Sequence, residues 1–479
     1  MSEPLDIAPS LESFITSNYS PSGIVAVAKD GEVLATHTWG DDGYDVTTPF
    51  RVASLTKSFT ALALLTLRRA GKLTLDDEVV RHLPELRVDA PADWPTLRVR
   101  HLLSMSAGLA TDNPWGDRQE SLSRDSLNAM LASGLRLVFP PGSAFEYSNL
   151  GYAFLGEIIT RLSGMDYRQY VKESIIDPLG LRDTRFAASE LSTTATGYHR
   201  EPALPGQPGG WWPQPASGPG AFSPIGGLYS SVRDLVTWTN LYLTRQPPEG
   251  ARFTAADLRE AQQGLTHRAT MQAPAPLRGL VTGSYGYGLG IESYTDHGTL
   301  VSHSGGYPGF TAYMCWHVET GYAVIASANG THSAAPFPAR QVLLPLIVKA
   351  ESRSEELEPW PETVAAVARL DELVRDAVSG DATEVAARYA DVFAENVELD
   401  VPLARRVEYL KQGFVNLGTL RPATEPLTPK TPRPSVASWT VHAEYGRLEL
   451  YIELAPVAPF GVQTFSAEIK NGQSRIELF

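Results

Sequence analysis

The sequence is short of three features that would each narrow the class of protein: cysteine, long apolar runs and excess positive charge. Cys315 is the only cysteine in 479 residues, so no intramolecular disulfide can form and nothing requires an oxidising compartment. No apolar run approaches the roughly 18 residues that a membrane-spanning helix needs. The opening MSEPLDIAPSLESF lacks the basic start and apolar stretch of a secretory signal, so we expect a cytoplasmic protein.

The net charge of the chain and the motifs that it lacks exclude further classes of protein. The 40 basic and 54 acidic residues give a formal net charge of −14, which repels nucleic-acid backbones and anionic membrane surfaces, so neither is an expected partner. A hydrophobic fraction of 43% is typical of a globular protein with a sizeable core. We find no Gly-x-Ser-x-Gly elbow, no His-Glu-x-x-His helix and no Gly-Lys-Ser/Thr loop, and we expect neither a metal nor a cofactor.

Length and pattern predict two domains, because 479 residues exceed the usual size of one core. The larger domain, residues 1–347, has a predicted helical insert from Leu73 to about Phe186. A hairpin around Asp30-Gly31 and three later strands would form one antiparallel sheet of about five strands. These strand segments are Ile24–Trp39, Tyr285–Ser293, Thr299–His317 and Tyr322–Ala328.

A charged, proline-containing segment at 348–362 predicts a linker, and residues 363–479 form a predicted small C-terminal α+β domain. Its pattern is similar to small cone-shaped α+β domains, and a closed sheet of lipocalin type is the alternative. It offers no cluster of catalytic residue types, so we expect an accessory packing or oligomerisation module. The predicted elements are helices at Val364–Ala377 and Leu403–Leu417 and strands at Val436–Tyr445, Leu448–Leu454 and Thr464–Ile469.

Residues 201–220 are Pro or Gly at 11 of 20 positions, which predicts a long loop without helix or strand. Trp211 and Trp212 lie in this loop. Two adjacent aromatic residues favour a substrate-facing lid, and packing on the surface is the alternative.

The pattern Ser-x-x-Lys occurs once, as Ser54-Leu55-Thr56-Lys57, at the start of an Ala- and Leu-rich helical stretch. Residues three apart share a helix face, so the hydroxyl and the amine adjoin. A serine hydroxyl is a poor nucleophile until a neighbour accepts its proton, and a desolvated amine can accept it. At a helix N-terminus the N–H of Ser54 can also face developing negative charge.

Two further elements carry chemistry. Tyr147-Ser148-Asn149 follows a Pro-Pro-Gly turn, and Asn149 can accept from Lys57 while donating to a substrate carbonyl. His303-Ser304-Gly305-Gly306 lies on a predicted strand, where paired glycines mark a close approach of a ligand to the backbone. Taken alone, each element favours a structural role: a core tyrosine with a helix-capping Asn149, and a strand histidine with satisfied hydrogen bonds.

In their order along the chain, the three motifs resemble those of the serine β-lactamase and penicillin-binding protein superfamily: Ser-x-x-Lys, Tyr-x-Asn and a Lys- or His-x-Gly strand. Within that superfamily the sequence is most similar to the branch of class C β-lactamases, D-alanyl-D-alanine carboxypeptidases, D-aminopeptidases and related esterases. The resemblance runs from about residue 10 to 345. Supporting segments are His101–Leu109, Pro140–Ser143 and Gly226–Ser230.

The resemblance implies an α+β fold, with an antiparallel sheet flanked by helices, a helical lobe and the active site in the cleft between them. It implies Ser54 as nucleophile, Lys57 and Tyr147 as the groups that manage its proton, and His303 as a group that tunes the tyrosine. The expected oxyanion- and substrate-binding residues are Asn149, Gly305, Gly306, Tyr307, Trp211 and Trp212.

One departure from the family pattern affects which substrates we expect. Where many members carry Lys-Thr-Gly, this chain has His303-Ser304-Gly305, so a permanent positive charge is replaced by one expected to titrate near 6.5. This weakens the anchor for a substrate carboxylate and disfavours a dedicated β-lactamase. We expect a small-molecule or short peptide substrate. An acyltransferase or peptide cyclase, a non-catalytic sensor of the same fold, and assembly into a homo-oligomer remain open.

Overall fold

The computed structural model of the protein describes residues 5–17, 19–40, 42–203, 209–331, 333–351, 358–422, 429–471 and 474–479. The chain divides into two compact units, Met1–Arg353 and Ser354–Phe479. The middle of the predicted linker, residues 352–357, lies outside the described residues. Its first residues continue a helix through Glu351, and its last two begin another at Pro361.

The first unit alternates strands and helices in a mixed order. Its strands are β1 (Gly23–Lys29), β2 (Glu32–Trp39), β3 (Phe50–Arg51), β4 (Val88–Asp89), β5 (Leu135–Arg136), β6 (Tyr198–Glu201), β7 (Gly210–Pro213), β8 (Tyr229–Ser230), β9 (Thr266–Gln272), β10 (Leu280–Tyr285), β11 (Gly290–Tyr294), β12 (Gly298–Tyr307), β13 (Phe310–His317) and β14 (Tyr322–Ala328). Its helices are α1 (Ala8–Thr16), α2 (Thr56–Arg69), α3 (Val79–His82), α4 (Val99–Leu103), α5 (Asn113–Gly116), α6 (Arg124–Ser133), α7 (Asn149–Ser163), α8 (Tyr167–Val171), α9 (Ser223–Gly226), α10 (Val232–Thr244), α11 (Ala255–Ala261) and α12 (Pro336–Glu351).

In the described residues, eight of these strands form an antiparallel sheet in the order β2-β1-β14-β13-β12-β11-β10-β9. The pairing of β1 with β14 joins the N-terminal hairpin to the late strands, as the sequence predicts. Successive side chains of a strand point to opposite faces. Along β1, Ile24 and Ala26 therefore pack with α2 and the helical lobe, while Val25 and Val27 pack with α1 and α12. The sheet is thus covered on both faces.

The predicted fold class is confirmed, but the predicted number of sheet strands was too low. The segment Thr299–His317 is two strands, β12 and β13, joined by a turn in which Gly309 has a φ of 87°. The segment Tyr285–Ser293 contains the end of β10 and most of β11. β9 is an exposed edge strand with the sequence THRATMQ, and such a strand lacks the apolar alternation that marks a buried one.

The prediction that residues 201–220 contain no strand was wrong. Residues Gly210–Pro213 form β7, which pairs with β6 in a two-stranded ribbon. In the described residues β7 pairs with β6 alone, and a proline on such an edge strand costs no ladder hydrogen bond, so the local composition does not prevent pairing. Residues 204–208 of this segment lie outside the described residues.

The second unit is an open five-stranded antiparallel sheet, in the described residues, with strand order β15-β16-β17-β18-β19 and a layer of helices packed on it. The predicted α+β character is confirmed, and the described edges of this sheet remain separate instead of closing in a lipocalin manner. Its strands are β15 (Lys430–Arg433), β16 (Val436–Ala443), β17 (Gly446–Leu454), β18 (Val462–Asn471) and β19 (Ser474–Glu477). Its helices are α13 (Pro361–Ala377), α14 (Ala382–Tyr389), α15 (Glu395–Asp400) and α16 (Leu403–Leu417).

Among the described residues, none of the helices combines the length and the apolar composition that crossing a bilayer requires.

The core of the first unit holds α2 in place through stacked aromatic rings. Trp238 of α10 is fully buried and stacks on Phe59 of α2, with ring centroids 3.7 Å apart and ring planes 7° from parallel. The indole N–H of Trp238 donates to Ser58 Oγ at 3.0 Å. These contacts therefore hold α2, the helix that carries Lys57, against α10.

We expect Trp238→Ala to lower the free energy of unfolding by about 3–5 kcal/mol, because it removes a large buried side chain and leaves a cavity. Urea unfolding followed by circular dichroism measures this loss. Trp212→Ala is the control, because Trp212 is 47% exposed and its removal should change stability by no more than about 0.5 kcal/mol. A loss below about 1 kcal/mol for Trp238→Ala would contradict the role given to this stack.

Candidate active site

Ser54 lies at the turn between β3 and α2, within a single 3₁₀ turn at Ala53–Leu55. Ala53 has a φ of 50°, in the left-handed region that costs a residue with a side chain about 1–2 kcal/mol. Two hydrogen bonds hold the turn: Val52 N–H donates to the Leu228 carbonyl at 2.9 Å, and Thr56 Oγ donates to the Ala53 carbonyl at 2.7 Å. The strained turn places the Ser54 side chain in the cleft wall.

The amine of Lys57 is fully buried beside Ser54, and it has three neighbours within hydrogen-bond distance. Its Nζ lies 2.9 Å from Ser54 Oγ, 2.7 Å from Asn149 Oδ1 and 2.7 Å from the Ile225 carbonyl oxygen. The two carbonyl oxygens can only accept hydrogen bonds. A neutral amine has two N–H groups and one lone pair, so the lone pair is left facing the Ser54 hydroxyl.

Burial lowers the pKa of Lys57 to about 7, because desolvation disfavours the ammonium form. The negative charges of Asp117 and, to a lesser degree, Asp112 act in the opposite direction. Near neutral pH a large fraction of the molecules therefore holds an uncharged amine. This amine is suited to accept a proton from the adjacent hydroxyl.

Tyr147 and Ser54 line the cleft together, and the Tyr147 ring centroid lies 5.1 Å from Lys57 Nζ. Burial raises the pKa of Tyr147 well above its ordinary value, and this effect outweighs that of the nearby Ser54 hydroxyl, which lowers it. These electrostatics disfavour a phenolate at Tyr147. A protonated phenol beside Ser54 can donate a hydrogen bond and relay a proton.

His303 lies on β12, as predicted, and both of its ring nitrogens have partners. Nδ1 lies 2.7 Å from the Ser304 carbonyl oxygen, which can only accept, so Nδ1 carries the proton. Nε2 then accepts from the Tyr285 hydroxyl at 2.9 Å. Burial, with the nearby charge of Lys57, lowers the pKa of His303 to about 3, so the imidazole stays neutral and the expected titration near 6.5 does not apply.

The His303 ring lies beside Tyr147, with centroids 6.4 Å apart. Four of the predicted catalytic side chains thus meet at one place: Ser54, Lys57, Tyr147 and His303. They come from the start of α2, the segment before α7, and β12. The sequence separations of the motifs do not reveal this proximity.

Asn149 is the first residue of α7 and is fully buried. Its Oδ1 accepts from Lys57, as predicted, but its Nδ2 donates to Asn113 Oδ1 at 3.0 Å. Asp112 accepts from the backbone N–H groups of Asn149 and Leu150 at 2.7 and 2.8 Å, which satisfies donors that a helix N-terminus leaves unpaired. Asn149 is therefore a fixed acceptor for the amine, while Asn113 is the amide that lines the cleft.

The cleft at Ser54 has a volume of about 610 Å³. Tyr147, His303 and Gly306 line it together with Ser54, whereas Gly305 does not. At Gly305 a Cβ would lie 2.3 Å from the Val52 carbonyl oxygen, so a glycine is required for β12 to approach the Ser54 turn. At Gly306 the same position is open space.

The other predicted substrate-binding residues lie outside the lining of this cleft. Tyr307 is buried, and its hydroxyl donates to Glu120 Oε2 at 2.7 Å. Trp211 and Trp212 lie on β7, where Arg200 of β6 sits 5.8 Å above the Trp211 ring. The lid interpretation of the two tryptophans gains no support from their position.

A buried ion pair lies directly behind the Ser54 turn. Arg51 and Glu120 are each 1% exposed and form a salt bridge, and the Arg51 guanidinium lies 4.2 Å from the centroid of the Tyr307 ring. Arg51 is three residues before Ser54, and Tyr307 follows Gly306. Glu120 therefore connects the two chain segments that carry the expected oxyanion donors.

Sequence reasoning missed several residues of the cleft, four of which are polar groups near the nucleophile or on the opposite wall. Tyr285, Asn113, Asp117 and Arg268 all line it, but none belongs to a motif of the kind that identified Ser54. They lie on β10, on or next to the short α5 and on the edge strand β9. Residue type alone does not distinguish them from surface residues. Among the described residues, no group of three or more His, Cys, Asp or Glu side chains is arranged to hold a metal ion.

Comparisons with known proteins agree with this geometry. Penicillin-binding protein 4* of Bacillus subtilis (strain 168) is 26% identical over 333 residues, which cover 64% of this chain and 68% of that protein. Protein flp of Staphylococcus aureus (strain NCTC 8325 / PS 47) is 26% identical over 333 residues, covering 67% of this chain and 61% of that protein. The match thus spans less than two thirds of protein flp.

Three solved structures share the fold. The octameric penicillin-binding protein homologue from Pyrococcus abyssi has a TM-score of 0.59 at 20% identity, covering 98% of this chain and 99% of that one. A D-stereospecific amidohydrolase from Streptomyces sp. has a TM-score of 0.55 at 21% identity, covering 71% and 99%. EstCE1, described as a hydrolase with promiscuous acyltransferase activity, has a TM-score of 0.54 at 22% identity, covering 70% and 97%.

The sequence profile of one protein family, described as Beta-lactamase, matches residues 11–348. This range includes every side chain placed in the cleft above. It ends at the predicted start of the linker and leaves the second unit unmatched. The chain therefore belongs to the β-lactamase family.

Proposed function

We propose that the protein is a serine hydrolase that cleaves an ester or amide through an acyl-enzyme formed on Ser54. One observation carries this proposal: a buried amine with a pKa lowered to about 7 lies 2.9 Å from the Ser54 hydroxyl. Asn149 and Ile225 occupy the two N–H groups of its neutral form, so Ser54 is the group that the lone pair can accept from.

In the first step the Ser54 oxygen attacks the substrate carbonyl carbon, and its proton moves to Lys57 Nζ. The carbonyl π electrons move to the oxygen, which becomes an oxyanion. The backbone N–H groups of Ser54 and Gly306 are the proposed donors to that oxyanion, since Ser54 lies in the 3₁₀ turn that precedes α2 and both residues line the cleft.

In the second step the oxyanion collapses and the bond to the leaving group breaks. The proton held by Lys57 passes through the Tyr147 hydroxyl to the departing amine or alcohol. Tyr147 suits this relay because its raised pKa keeps the phenol protonated at rest. Water then attacks the acyl-enzyme by the same route in reverse, and Ser54 regains its proton.

The proposed substrates are D-amino-acid amides, short peptides and short-chain esters. Support comes from the two fold relatives described as a D-stereospecific amidohydrolase and a hydrolase. Hydrolysis and acyl transfer share the acyl-enzyme and differ in the attacking group. Product analysis with and without an added amine acceptor separates the two outcomes.

Assembly into a homo-oligomer is a further proposal, supported by the described octameric state of the Pyrococcus protein, whose fold covers 98% of this chain. We expect light scattering on the full chain to give a mass at least twice the 52.0 kDa of one chain. A monomeric mass across the micromolar range would remove this proposal.

We expect Ser54→Ala to lower kcat/KM for p-nitrophenyl acetate by at least about 10³-fold, because the acyl-enzyme can no longer form. Intact-mass spectrometry of wild-type protein treated with a serine-reactive fluorophosphonate should show one phosphonyl adduct that the variant lacks. Ser143→Ala, at an exposed turn where its hydroxyl donates only to Pro140, is the matched control and should behave as wild type. Labelling of the Ser54 variant to the same extent would remove Ser54 from the mechanism.

We expect kcat/KM to rise with pH through about 7, since the neutral form of Lys57 is the reactive one. The negative charge of Asp117 raises the pKa of Lys57, so Asp117→Asn should move this inflection to lower pH. Glu146→Gln is the control, because Glu146 accepts from the Thr111 N–H and should leave the inflection unchanged. The range from about pH 5.5 to about 8.5 extends about 1.5 units to either side of the Lys57 pKa. A kcat/KM that is constant over this range would show that Lys57 is not the base.

A further inference from the structure

The cleft contains a carboxylate that the proposed reaction does not use. Asp117 follows α5 and lines the cleft together with Ser54 and Tyr147. Its carboxylate is partly buried, yet within the described part of the chain it has no hydrogen bond and no ion pair. Its neighbour Arg118 also lines the cleft, but the Arg118 guanidinium donates to the Pro114 carbonyl at 2.8 Å.

The remaining acidic group in the described lining is fully paired. Glu292 receives two hydrogen bonds from Arg340, at 2.7 and 2.8 Å, and a third from the Tyr294 hydroxyl at 2.6 Å. Asp112, one helical turn before Asp117, is occupied by the N-terminus of α7. Asp117 is therefore the carboxylate that remains available to a ligand in the cleft.

An unpaired, partly desolvated carboxylate favours either a proton or a cation. Burial raises the pKa of Asp117 to about 6, so at neutral pH the group is mostly charged. The neighbouring charge that most favours its ionised form is Lys57, and that charge is lost when Lys57 becomes the neutral base. In the reactive state of the enzyme, Asp117 therefore loses its strongest counter-charge and keeps only the weaker effect of Arg118, whose guanidinium donates to the Pro114 carbonyl.

We propose that Asp117 binds a protonated amino group of the substrate, so that the preferred substrates are amino-acid esters, amides or short peptides with a free amine. Asp117 lines the same cleft as the nucleophile and its charge acts on the Lys57 amine, so we assign the bound amine to the acyl side of the scissile bond. This inference rests on the proposed hydrolase function and specifies its substrate class.

Binding of an ammonium group at Asp117 also acts on the base. Of the neighbouring charges, that of Asp117 raises the pKa of Lys57 the most, and a bound ammonium group neutralises this charge. The amine of Lys57 then loses its proton more readily. A substrate with a free amine thereby promotes the protonation state that the reaction needs, whereas an uncharged substrate of the same shape does not.

The test uses the full-length protein, with hydrolysis of p-nitrophenyl acetate at pH 7.5 as the reporter. An α-amino group with a pKa of about 7.7–8.0 is mostly protonated at this pH. The inhibition constants of alaninamide, as D and L enantiomers, are compared with those of propionamide, which lacks only the amine. For the wild type we expect at least one enantiomer of alaninamide to bind about 10- to 100-fold more tightly than propionamide, as for a charge-assisted hydrogen bond.

Asp117→Asn should reduce that ratio to within about 3-fold of unity while propionamide binds as before, and Glu146→Gln should preserve the ratio. The ratio cancels any effect of the variant on the uncharged part of the ligand, because alaninamide and propionamide share that part. A ratio that survives in Asp117→Asn, or a wild-type ratio near unity for both enantiomers, overturns the inference. Absence of Ser54-dependent hydrolysis of the reporter by the wild type would instead overturn the proposed function.

Discussion

The burial of the Lys57 amine is the constraint on which the rest of the active-site architecture depends. A buried ammonium group is costly unless it is paired or loses its proton, and here two carbonyl acceptors and one hydroxyl surround it. Asn149 and Ile225 come from different parts of the chain, so the lysine joins the start of α7 and the end of α9 to α2. Asn149 can hold its place because Asp112 satisfies the free N–H groups at the start of α7. The lowered pKa of Lys57 is thus a consequence of how three helices meet.

A second constraint lies behind the nucleophile, where chain segments approach so closely that side chains are excluded. β12 passes the Ser54 turn at a distance that only a glycine at position 305 permits. The buried Arg51–Glu120 pair and the Tyr307 hydroxyl fix the two segments on either side of this contact. Separating the two members of a buried ion pair leaves uncompensated charges in the interior. Because this is costly, the pair keeps both segments in place. The left-handed backbone at Ala53 persists because these surroundings hold it.

The residues that could be predicted from the sequence are those whose roles depend on local spacing. Ser54 and Lys57 share a helix face, and the paired glycines after His303 mark a close approach, so each left a pattern along the chain. The other residues that line the cleft belong to no such sequence pattern. Asp117 follows a helix of a single turn, and Arg268 lies on a polar edge strand without apolar alternation. Glu120 is buried only because Arg51 and Tyr307 reach it from distant segments. Contacts between such distant residues follow from the tertiary fold, which periodicity does not encode.

At His303, burial changes the protonation state that the residue type alone predicts. By residue type, a histidine on this strand is a group that gains charge in mildly acidic solution. In the cleft it is surrounded by the Lys57 amine, the Tyr285 hydroxyl and its own strand, and its pKa falls to about 3. Its Nδ1 proton is committed to the Ser304 carbonyl, immediately before the two glycines. The imidazole therefore contributes shape and a fixed hydrogen bond to β12, while Lys57 and Asp117 supply the charges that respond to pH and to a bound cation.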